Sequence, residues 1–182
     1  GGKSLGHPLP ALLLPGRTLG GSPLIPLMKD QVEALREDGI PAAYLNSSLD
    51  TQERREVLAG LGRGEFRLLY IAPERLDSRA FASLAQELEI SLVAVDEAHC
   101  VSQWGQDFRP SYLAIEPFIA SLPRRPVVAA FTATATPAVR DDMHCVLQLR
   151  EPKGPVTGLL PAALYLGVRS GGRLGARRLA YL

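Results

Sequence analysis

The sequence predicts an α/β domain in which helices flank a mostly parallel sheet. Short apolar runs alternate with periodic, helix-like segments, and two of those runs are apolar at every position. A continuous apolar run is typical of a strand buried on both faces, and strand–helix alternation favours parallel pairing. With 182 residues, 46% of them hydrophobic, the chain has room for one ordinary domain with a sizeable core.

The first predicted elements are a helix and a strand. Apolar residues recur at three- and four-residue steps over residues 24–35, which predicts an amphipathic helix that ends at Gly39. Residues 42–45, Ala-Ala-Tyr-Leu, then predict a short strand.

A second helix and strand follow in the same pattern. Asp50 and Glu53 have the spacing of a capping box, so a helix begins there and ends at Gly62 or Gly64. The apolar run at residues 68–71, followed by a proline, predicts the next strand.

The remaining elements are predicted from caps and apolar runs. Ser78 is a candidate cap for a helix that extends to about Leu88. The continuous apolar runs at 92–95 and 127–131 predict two buried strands. Pro137 suits the first turn of a final helix.

The charge balance changes near residue 150. Residues 1–150 carry 15 basic and 18 acidic side chains, whereas residues 151–182 carry five basic and one acidic. The second segment has six glycines and no sustained periodicity, which predicts a poorly structured basic tail. A tail that binds nucleic acid and a continuation in a shifted reading frame are the alternatives.

The composition also bears on location. No apolar run approaches the roughly 18–20 residues that a membrane span requires. Cys100 and Cys145 lack CxxC spacing, as is usual for reduced thiols in a cytosolic protein. We therefore expect a cytoplasmic protein with no membrane partner.

Two carboxylates follow the buried run at 92–95. Asp96, Glu97, Ala98 and His99 come directly after it, and ligands of parallel sheets bind beyond the carboxyl ends of the strands. One carboxylate can hold Mg²⁺, the other can polarise a water molecule, and the histidine can respond to a phosphate. The alternative is that the two acids only cap the next turn.

The chain starts with Gly1, Gly2, Lys3 and Ser4, which match the end of the phosphate-binding motif G-x-x-x-x-G-K-[ST]. In that motif the glycines let backbone N–H groups approach phosphate, the lysine reaches the β/γ oxygens and the serine binds Mg²⁺. A cloning remnant is the alternative interpretation of these four residues.

Two further clusters follow predicted strands. Small and hydroxyl-bearing residues at 132–136 come directly after the run at 127–131, and an ordinary threonine-rich turn is their alternative interpretation. Residues 102–112 hold the only tryptophan, two further aromatic residues and an arginine. Such a segment suits stacking on single-stranded bases, at roughly 1–3 kcal/mol per base, or a loop that its own aromatics hold in place.

Together these clusters resemble the first motor domain of RecQ-family DNA helicases, in the DExH branch of helicase superfamily two. The resemblance covers residues 1 to about 149 and is most specific in the aromatic segment after the DEAH box. The matching stretches, in family order, are Gly2–Ser4, Leu9–Leu12, Ser22–Ile25 with Leu27–Gln31, Leu45–Ser48, Tyr70–Leu76, Asp96–Cys100, Trp104–Tyr112 and Thr132–Ala135.

The resemblance implies a RecA-like P-loop NTPase fold over residues 1–149, with ATP and Mg²⁺ as cofactors. Lys3 and Ser4 would bind nucleotide and Mg²⁺, Asp96 would hold the metal, Glu97 would be the catalytic base, and His99 would couple hydrolysis to the aromatic segment. Single-stranded and partly duplex DNA would be the partner. Residues implied to contact DNA or couple its movement to hydrolysis are Ser22, Pro23, Asn46, Ser47, Trp104, Phe108, Arg109, Thr132 and Thr134.

The chain also departs from the family pattern. Pro8 falls inside the helix expected after the phosphate loop, at a cost of about 3 kcal/mol. Gly20 and Gly21 stand where the family usually has valines, which should weaken a central strand by roughly 0.5–1 kcal/mol per glycine. Gln106 replaces a usual histidine.

On this resemblance, the first strand and the opening of the phosphate loop would precede residue 1, and the second motor domain would lie outside these 182 residues. The resemblance therefore predicts part of a 3′–5′ DNA helicase that acts in recombination and repair, with little activity in isolation. A non-catalytic remnant and an RNA helicase of the DEAD/DEAH type are the rival interpretations.

Overall fold

A computed structural model describes residues 13–105, 107–150, 152–153 and 163–167, the last two ranges as strands only. Its strands, in chain order, are β1 (Arg17–Gly21), β2 (Ala42–Leu45), β3 (Leu68–Ile71), β4 (Ile90–Val95), β5 (Val127–Thr132), β6 (Pro152–Lys153) and β7 (Ala163–Gly167). The α-helices in the described part are α1 (Ile25–Glu37), α2 (Thr51–Arg63), α3 (Arg79–Ala85), α4 (Ile115–Ser121) and α5 (Pro137–Val146).

Seven strands form one sheet in the order β2-β3-β1-β4-β5-β7-β6. The first five in this order are parallel to one another, as the strand–helix alternation predicts. Their carboxyl ends therefore meet at one edge of the sheet, and the residues that follow β1, β4 and β5 come together there.

Strands β6 and β7 lie in the segment for which the sequence predicts a poorly structured tail. β7 pairs antiparallel with β5, and β6 pairs antiparallel with β7. The structure thus differs from that expectation at residues 152–153 and 163–167, where backbone pairing extends the sheet. The origin of this segment stays a prediction.

Local end signals set the helix bounds. The Asp50 carboxylate accepts a hydrogen bond from the backbone N–H of Glu53 at 2.8 Å, and the Glu53 carboxylate accepts one from the N–H of Asp50 at 2.8 Å. This capping box starts α2, and Gly64, in the left-handed region at φ 81°, ends it. Helix α3 ends at Ala85, so the predicted extension to Leu88 is wrong.

The core lies on both faces of the sheet because strand side chains alternate. Leu69 and Ile71 of β3 join a large buried cluster with side chains of α2, α3, α4 and α5. Leu68 and Tyr70 of the same strand point to the opposite face, against buried residues of α1. The helices therefore flank the sheet on both sides.

Strand β1 is central, although it contains both glycines that were expected to weaken it. Gly20 pairs with Tyr70 on one side and Ala94 on the other. A Cβ atom at Gly20 would lie only 2.9 Å from Cδ1 of the Tyr70 ring, whereas one at Gly21 would have its nearest neighbour at 3.7 Å. The aromatic ring fills the space above Gly20, so this glycine is needed for packing and is not simply a weak point.

None of the helices in the described part of the chain has the length and apolar character needed to span a bilayer.

Candidate functional site

The carboxyl ends of three neighbouring strands bring candidate residues to one edge of the sheet. Ser22 follows β1, Asp96 follows β4, and Thr132 is the last residue of β5. The backbone N–H of Asp96 donates to the carbonyl of Gly21 at 2.8 Å, which fixes the start of the acidic segment against β1.

The peptide between Asp96 and Glu97 is held from two sides. The Asp96 carboxylate accepts a hydrogen bond from the Glu97 N–H at 2.9 Å, and the Tyr112 hydroxyl donates to the Asp96 carbonyl at 2.9 Å. Tyr112 is fully buried, and burial raises the pKa of its hydroxyl, which therefore stays a donor. These bonds connect the end of the aromatic segment to the acidic pair.

Glu97 adopts a left-handed conformation, with φ 46° and ψ 43°. For a residue with a side chain this conformation costs roughly 1–2 kcal/mol, so the surrounding hydrogen bonds must maintain it. The turn redirects the chain into the 3₁₀ helix Ala98–Val101, which carries His99 and Cys100.

His99 lies between the acidic pair and the end of β5. Its Nδ1 is 2.9 Å from the Thr132 hydroxyl and 3.4 Å from a Glu97 carboxylate oxygen. The same Thr132 hydroxyl accepts a hydrogen bond from the backbone N–H of Thr134 at 3.3 Å. The structure thus brings Glu97, His99, Thr132 and Thr134 together.

The aromatic segment leads directly away from this cluster. The N–H of Arg109 donates to the Cys100 carbonyl at 2.9 Å, and the N–H of Trp104 donates to the buried Ser102 hydroxyl at 3.2 Å. Trp104 is 79% exposed, so its ring is held at the surface by backbone contacts and is available for stacking. Phe108 and Arg109 are half-buried.

Asp107 accepts hydrogen bonds from two neighbours. Its Oδ2 lies 3.3 Å from Nη2 of Arg109 and 3.6 Å from Sγ of Cys100. Burial, together with the Asp107 carboxylate, raises the pKa of the Cys100 thiol to about 12. The thiol is therefore protonated at neutral pH and donates to Asp107.

The other residues expected along the DNA strand have mixed exposure. Ser22 and Asn46 are buried, and their oxygens accept hydrogen bonds from the N–H groups of Leu24 at 3.4 Å and of Ser48 at 2.9 Å. Pro23 is half-buried and Ser47 is exposed. In the described structure the two buried side chains shape their turns, and only Pro23 and Ser47 present side chains at the surface.

Gly1, Gly2, Lys3 and Ser4, which are predicted to form the end of a phosphate loop, lie outside the described residues, as do Pro8 and Gln106. The described part of the site fits Mg²⁺, because the partly exposed Asp96 carboxylate offers oxygen ligands at the carboxyl edge of the sheet. Glu97 adds a second, mostly buried carboxylate, whose side chain is 27% exposed.

Sequence reasoning missed three features of this site. The Tyr112 hydroxyl, the Asp107 carboxylate and the left-handed Glu97 all depend on how a loop folds back onto a strand end. Spacing alone gives no signal for such a contact.

The chain matches known proteins over most of its length. Residues 1–143 match the model of the DEAD/DEAH box helicase family. Over 158 residues the chain is 52% identical to a protein of Bacillus subtilis named ATP-dependent DNA helicase RecQ. This alignment covers 87% of the chain and 27% of that protein. Over 157 residues it is 48% identical to ATP-dependent DNA helicase Q5 of Mus musculus. This second alignment covers 83% of the chain and 16% of the mouse protein.

Solved structures agree on the fold. One is the structure of the helicase Lhr of Mycobacterium smegmatis bound to ssDNA and AMP-PNP, which aligns with a TM-score of 0.58 and 24% sequence identity. The alignment covers 75% of this chain and 20% of the Lhr chain. The Hef helicase domain of Pyrococcus furiosus aligns with a TM-score of 0.54 and 20% sequence identity, over 73% of this chain and 27% of the Hef chain.

This chain spans about a quarter or less of the length of the curated relatives described above. It belongs to the DEAD/DEAH box helicase family and resembles the RecQ-type members of that family.

Proposed function

We propose that the chain is part of the first motor domain of a RecQ-type DNA helicase that moves 3′ to 5′ and acts in recombination and repair. Two relatives named ATP-dependent DNA helicase support the enzyme class and DNA as the substrate. The direction and the pathway rest on the family resemblance. The protein would act in the cytoplasm or on the nucleoid, with ATP and Mg²⁺ as cofactors.

Each residue of the acidic segment has a distinct part in this proposal. Bound ATP·Mg²⁺ supplies the phosphate bond that is hydrolysed. The Asp96 carboxylate would hold the metal, and its hydrogen bond from the Glu97 N–H orients it. The Glu97 carboxylate would accept the proton of the attacking water. Lys3 and Ser4 would hold the β/γ-phosphates and the metal.

One observation carries the proposal: His99 lies between the Glu97 carboxylate and the Thr132 hydroxyl. A change in the position of Glu97 during hydrolysis would alter this contact and move the Thr132–Thr134 turn. The same 3₁₀ helix is bonded through Cys100 to Arg109 of the aromatic segment. The arrangement therefore supports coupling between hydrolysis and contact with DNA.

The aromatic segment would supply the DNA contact. Trp104 is exposed, and stacking on a base is worth roughly 1–3 kcal/mol. Phe108 and Arg109 lie in the same segment, and Arg109 can approach a phosphate or a base face. Pro23 and Ser47 would extend this surface.

A non-catalytic remnant of a helicase gene is the second candidate. Pro8 and the composition of residues 151–182 favour it, because an interior proline disrupts a helix and the tail resembles no expected segment. An RNA helicase is a weaker candidate, since its motifs do not account for the aromatic segment.

The test is ATP hydrolysis by the full-length parent protein with single-stranded DNA or RNA. We expect DNA to stimulate turnover more than RNA does, and Trp104→Ala to reduce that stimulation. Leu113→Ala is the matched control, because Leu113 is another exposed apolar residue just beyond the segment. Stimulation by RNA alone, or equal DNA stimulation in Trp104→Ala, would contradict the proposal.

A further inference from the structure

Three side chains with metal-binding atoms meet between the 3₁₀ helix Ala98–Val101 and the aromatic segment. His99, Cys100 and Asp107 each place one such atom within 4.8 Å of the other two. Sγ of Cys100 lies 3.9 Å from Nε2 of His99 and 3.6 Å from Oδ2 of Asp107. The coupling role proposed for His99 uses its other nitrogen, Nδ1.

These separations fit a tetrahedral transition-metal centre. Zinc bonds of about 2.0–2.3 Å to nitrogen, oxygen and sulfur place neighbouring ligand atoms roughly 3.5 Å apart. The two distances that involve Cys100 Sγ are close to that spacing. The Asp107 side chain is 56% exposed, and its one other partner in the described residues is Arg109, at 3.3 Å.

The surroundings of His99 also suit a metal ligand. Its Nδ1 faces the Thr132 hydroxyl at 2.9 Å and a Glu97 carboxylate oxygen at 3.4 Å. Because Nδ1 is engaged by these two oxygens, Nε2 is the ring nitrogen that faces Cys100, with Sγ at 3.9 Å. Histidine ligands are commonly oriented in this way through their second nitrogen.

We propose that His99 Nε2, Cys100 Sγ and Asp107 Oδ2 form a three-ligand site for a divalent transition metal of the zinc type. Imidazole and thiolate select such an ion over Mg²⁺, which prefers oxygen ligands. A water molecule completes the tetrahedron. The site is distinct from the Asp96 carboxylate proposed to hold Mg²⁺.

Binding exchanges a proton for the metal. In the metal-free protein the thiol is protonated and donates to Asp107. The S–H bond breaks, the proton passes to solvent, and the sulfur electron pair forms the bond to the metal. The charge of the dication stabilises the thiolate beside Asp107, where a thiolate alone is disfavoured.

The metal would join the DEAH segment to the aromatic segment. If the proposed function holds, a bound ion would fix His99 and Asp107 in one arrangement and slow DNA-stimulated ATP hydrolysis. This consequence rests on the proposed function, whereas metal binding itself does not.

The test is a titration of the 182-residue chain with Co²⁺, followed by absorbance. We expect a thiolate-to-cobalt charge-transfer band with the visible bands of tetrahedral cobalt, at about one ion per chain, and both lost when Zn²⁺ is added. Cys100→Ala should abolish the bands. Cys145→Ser is the matched control and should keep them, because Cys145 and its neighbour His144 are the competing thiol–imidazole pair in the chain.

Cys100 is buried, so its replacement can perturb folding. The exposed Asp107 supplies a second variant: Asp107→Asn should keep the far-UV circular dichroism and weaken cobalt binding by about tenfold. The proposal is overturned by a wild-type chain without a thiolate band, by bands that survive Cys100→Ala or vanish in Cys145→Ser, or by unchanged affinity in Asp107→Asn. None of these outcomes depends on ATP hydrolysis.

Discussion

At the scale of single residues, the acidic segment owes its shape to a residue outside it. Glu97 is in the left-handed region, and the preceding carbonyl accepts a hydrogen bond from the buried Tyr112. An unfavourable backbone conformation persists only where its surroundings hold it. Tyr112, at the end of the aromatic segment, thus supports the conformation of the acidic segment.

Replacement of Tyr112 by phenylalanine tests this support. The variant keeps the buried ring but leaves the Asp96 carbonyl without its donor, and we expect the free energy of unfolding to fall by about 1–2 kcal/mol in urea titrations. Tyr44→Phe is the control, since the Tyr44 hydroxyl makes no hydrogen bond to any residue that the structure describes. Equal stability of the two variants would contradict the account.

The two cysteines should differ in reactivity. The pKa of Cys100 is raised to about 12 by burial and by Asp107, so its thiolate is scarce at pH 8, whereas Cys145 is exposed. A chromogenic disulfide reagent should therefore modify one thiol per native chain, and both after unfolding in urea. Mass spectrometry should locate the modification of the native chain at Cys145. Rapid modification of Cys100 would contradict the buried environment and raised pKa described for its thiol.

At the scale of elements, the sequence predicted what local signals control. The capping box at Asp50 and the continuous apolar runs were each sufficient to place an element, because the interactions involved are only a few residues apart. The end of α2 was predicted at Gly62 or Gly64, and Gly64 is the one that ends it, in the left-handed region. The end of α3 was missed because Leu88 packs against the core from a turn beyond the helix. Apolar spacing alone does not distinguish a buried residue in a helix from a buried residue in the turn that follows it.

The two glycines of β1 differ in their packing, and this difference cannot be predicted from the neighbouring sequence. Both were expected to weaken the strand, yet their surroundings differ, because only Gly20 lies against the Tyr70 ring. Tyr70 is 50 positions away in sequence and is adjacent only through the β1–β3 pairing. The same limit applies to the site, where Asp107 and Tyr112 were recognised as part of the aromatic loop but their partners were not.

A pair of alanine substitutions tests this difference. Gly20→Ala would place Cβ 2.9 Å from the buried Tyr70 ring, so that ring or the strand must shift, and we expect a loss of about 1–3 kcal/mol in the free energy of unfolding. Gly21→Ala has room, and should stabilise by about 0.5–1 kcal/mol through the loss of backbone freedom in the unfolded chain. Both are measured by urea denaturation, and the same sign for both would refute the packing argument.

At the scale of the whole molecule, the sheet brings together a complete acidic segment, a threonine turn and an aromatic loop. The fold could be predicted from sequence because four of the five parallel strands are short apolar runs between helices, whereas β1 was expected only from the family resemblance. The pairing of β7 with β5 could not, because the segment that contains β7 shows no sustained periodicity.

The proposed function makes a prediction for the isolated chain. Motors of the resembled family hydrolyse ATP between two domains, so we expect negligible ATP turnover by these 182 residues, with or without single-stranded DNA. A coupled-enzyme assay measures this, and the full-length parent is the positive control. Clear DNA-stimulated turnover by the chain alone would mean that a second motor domain is not required.

The most direct test of the central claim is an equilibrium titration of the chain with ATP·Mg²⁺. The account predicts micromolar affinity that Lys3→Ala weakens by about 10- to 100-fold, since that change removes charge-assisted hydrogen bonds to phosphate. Lys29→Ala, at an exposed lysine of α1, should bind like the unmodified chain. Absence of binding, or equal affinity in the two lysine variants, would contradict the nucleotide site and favour the non-catalytic remnant.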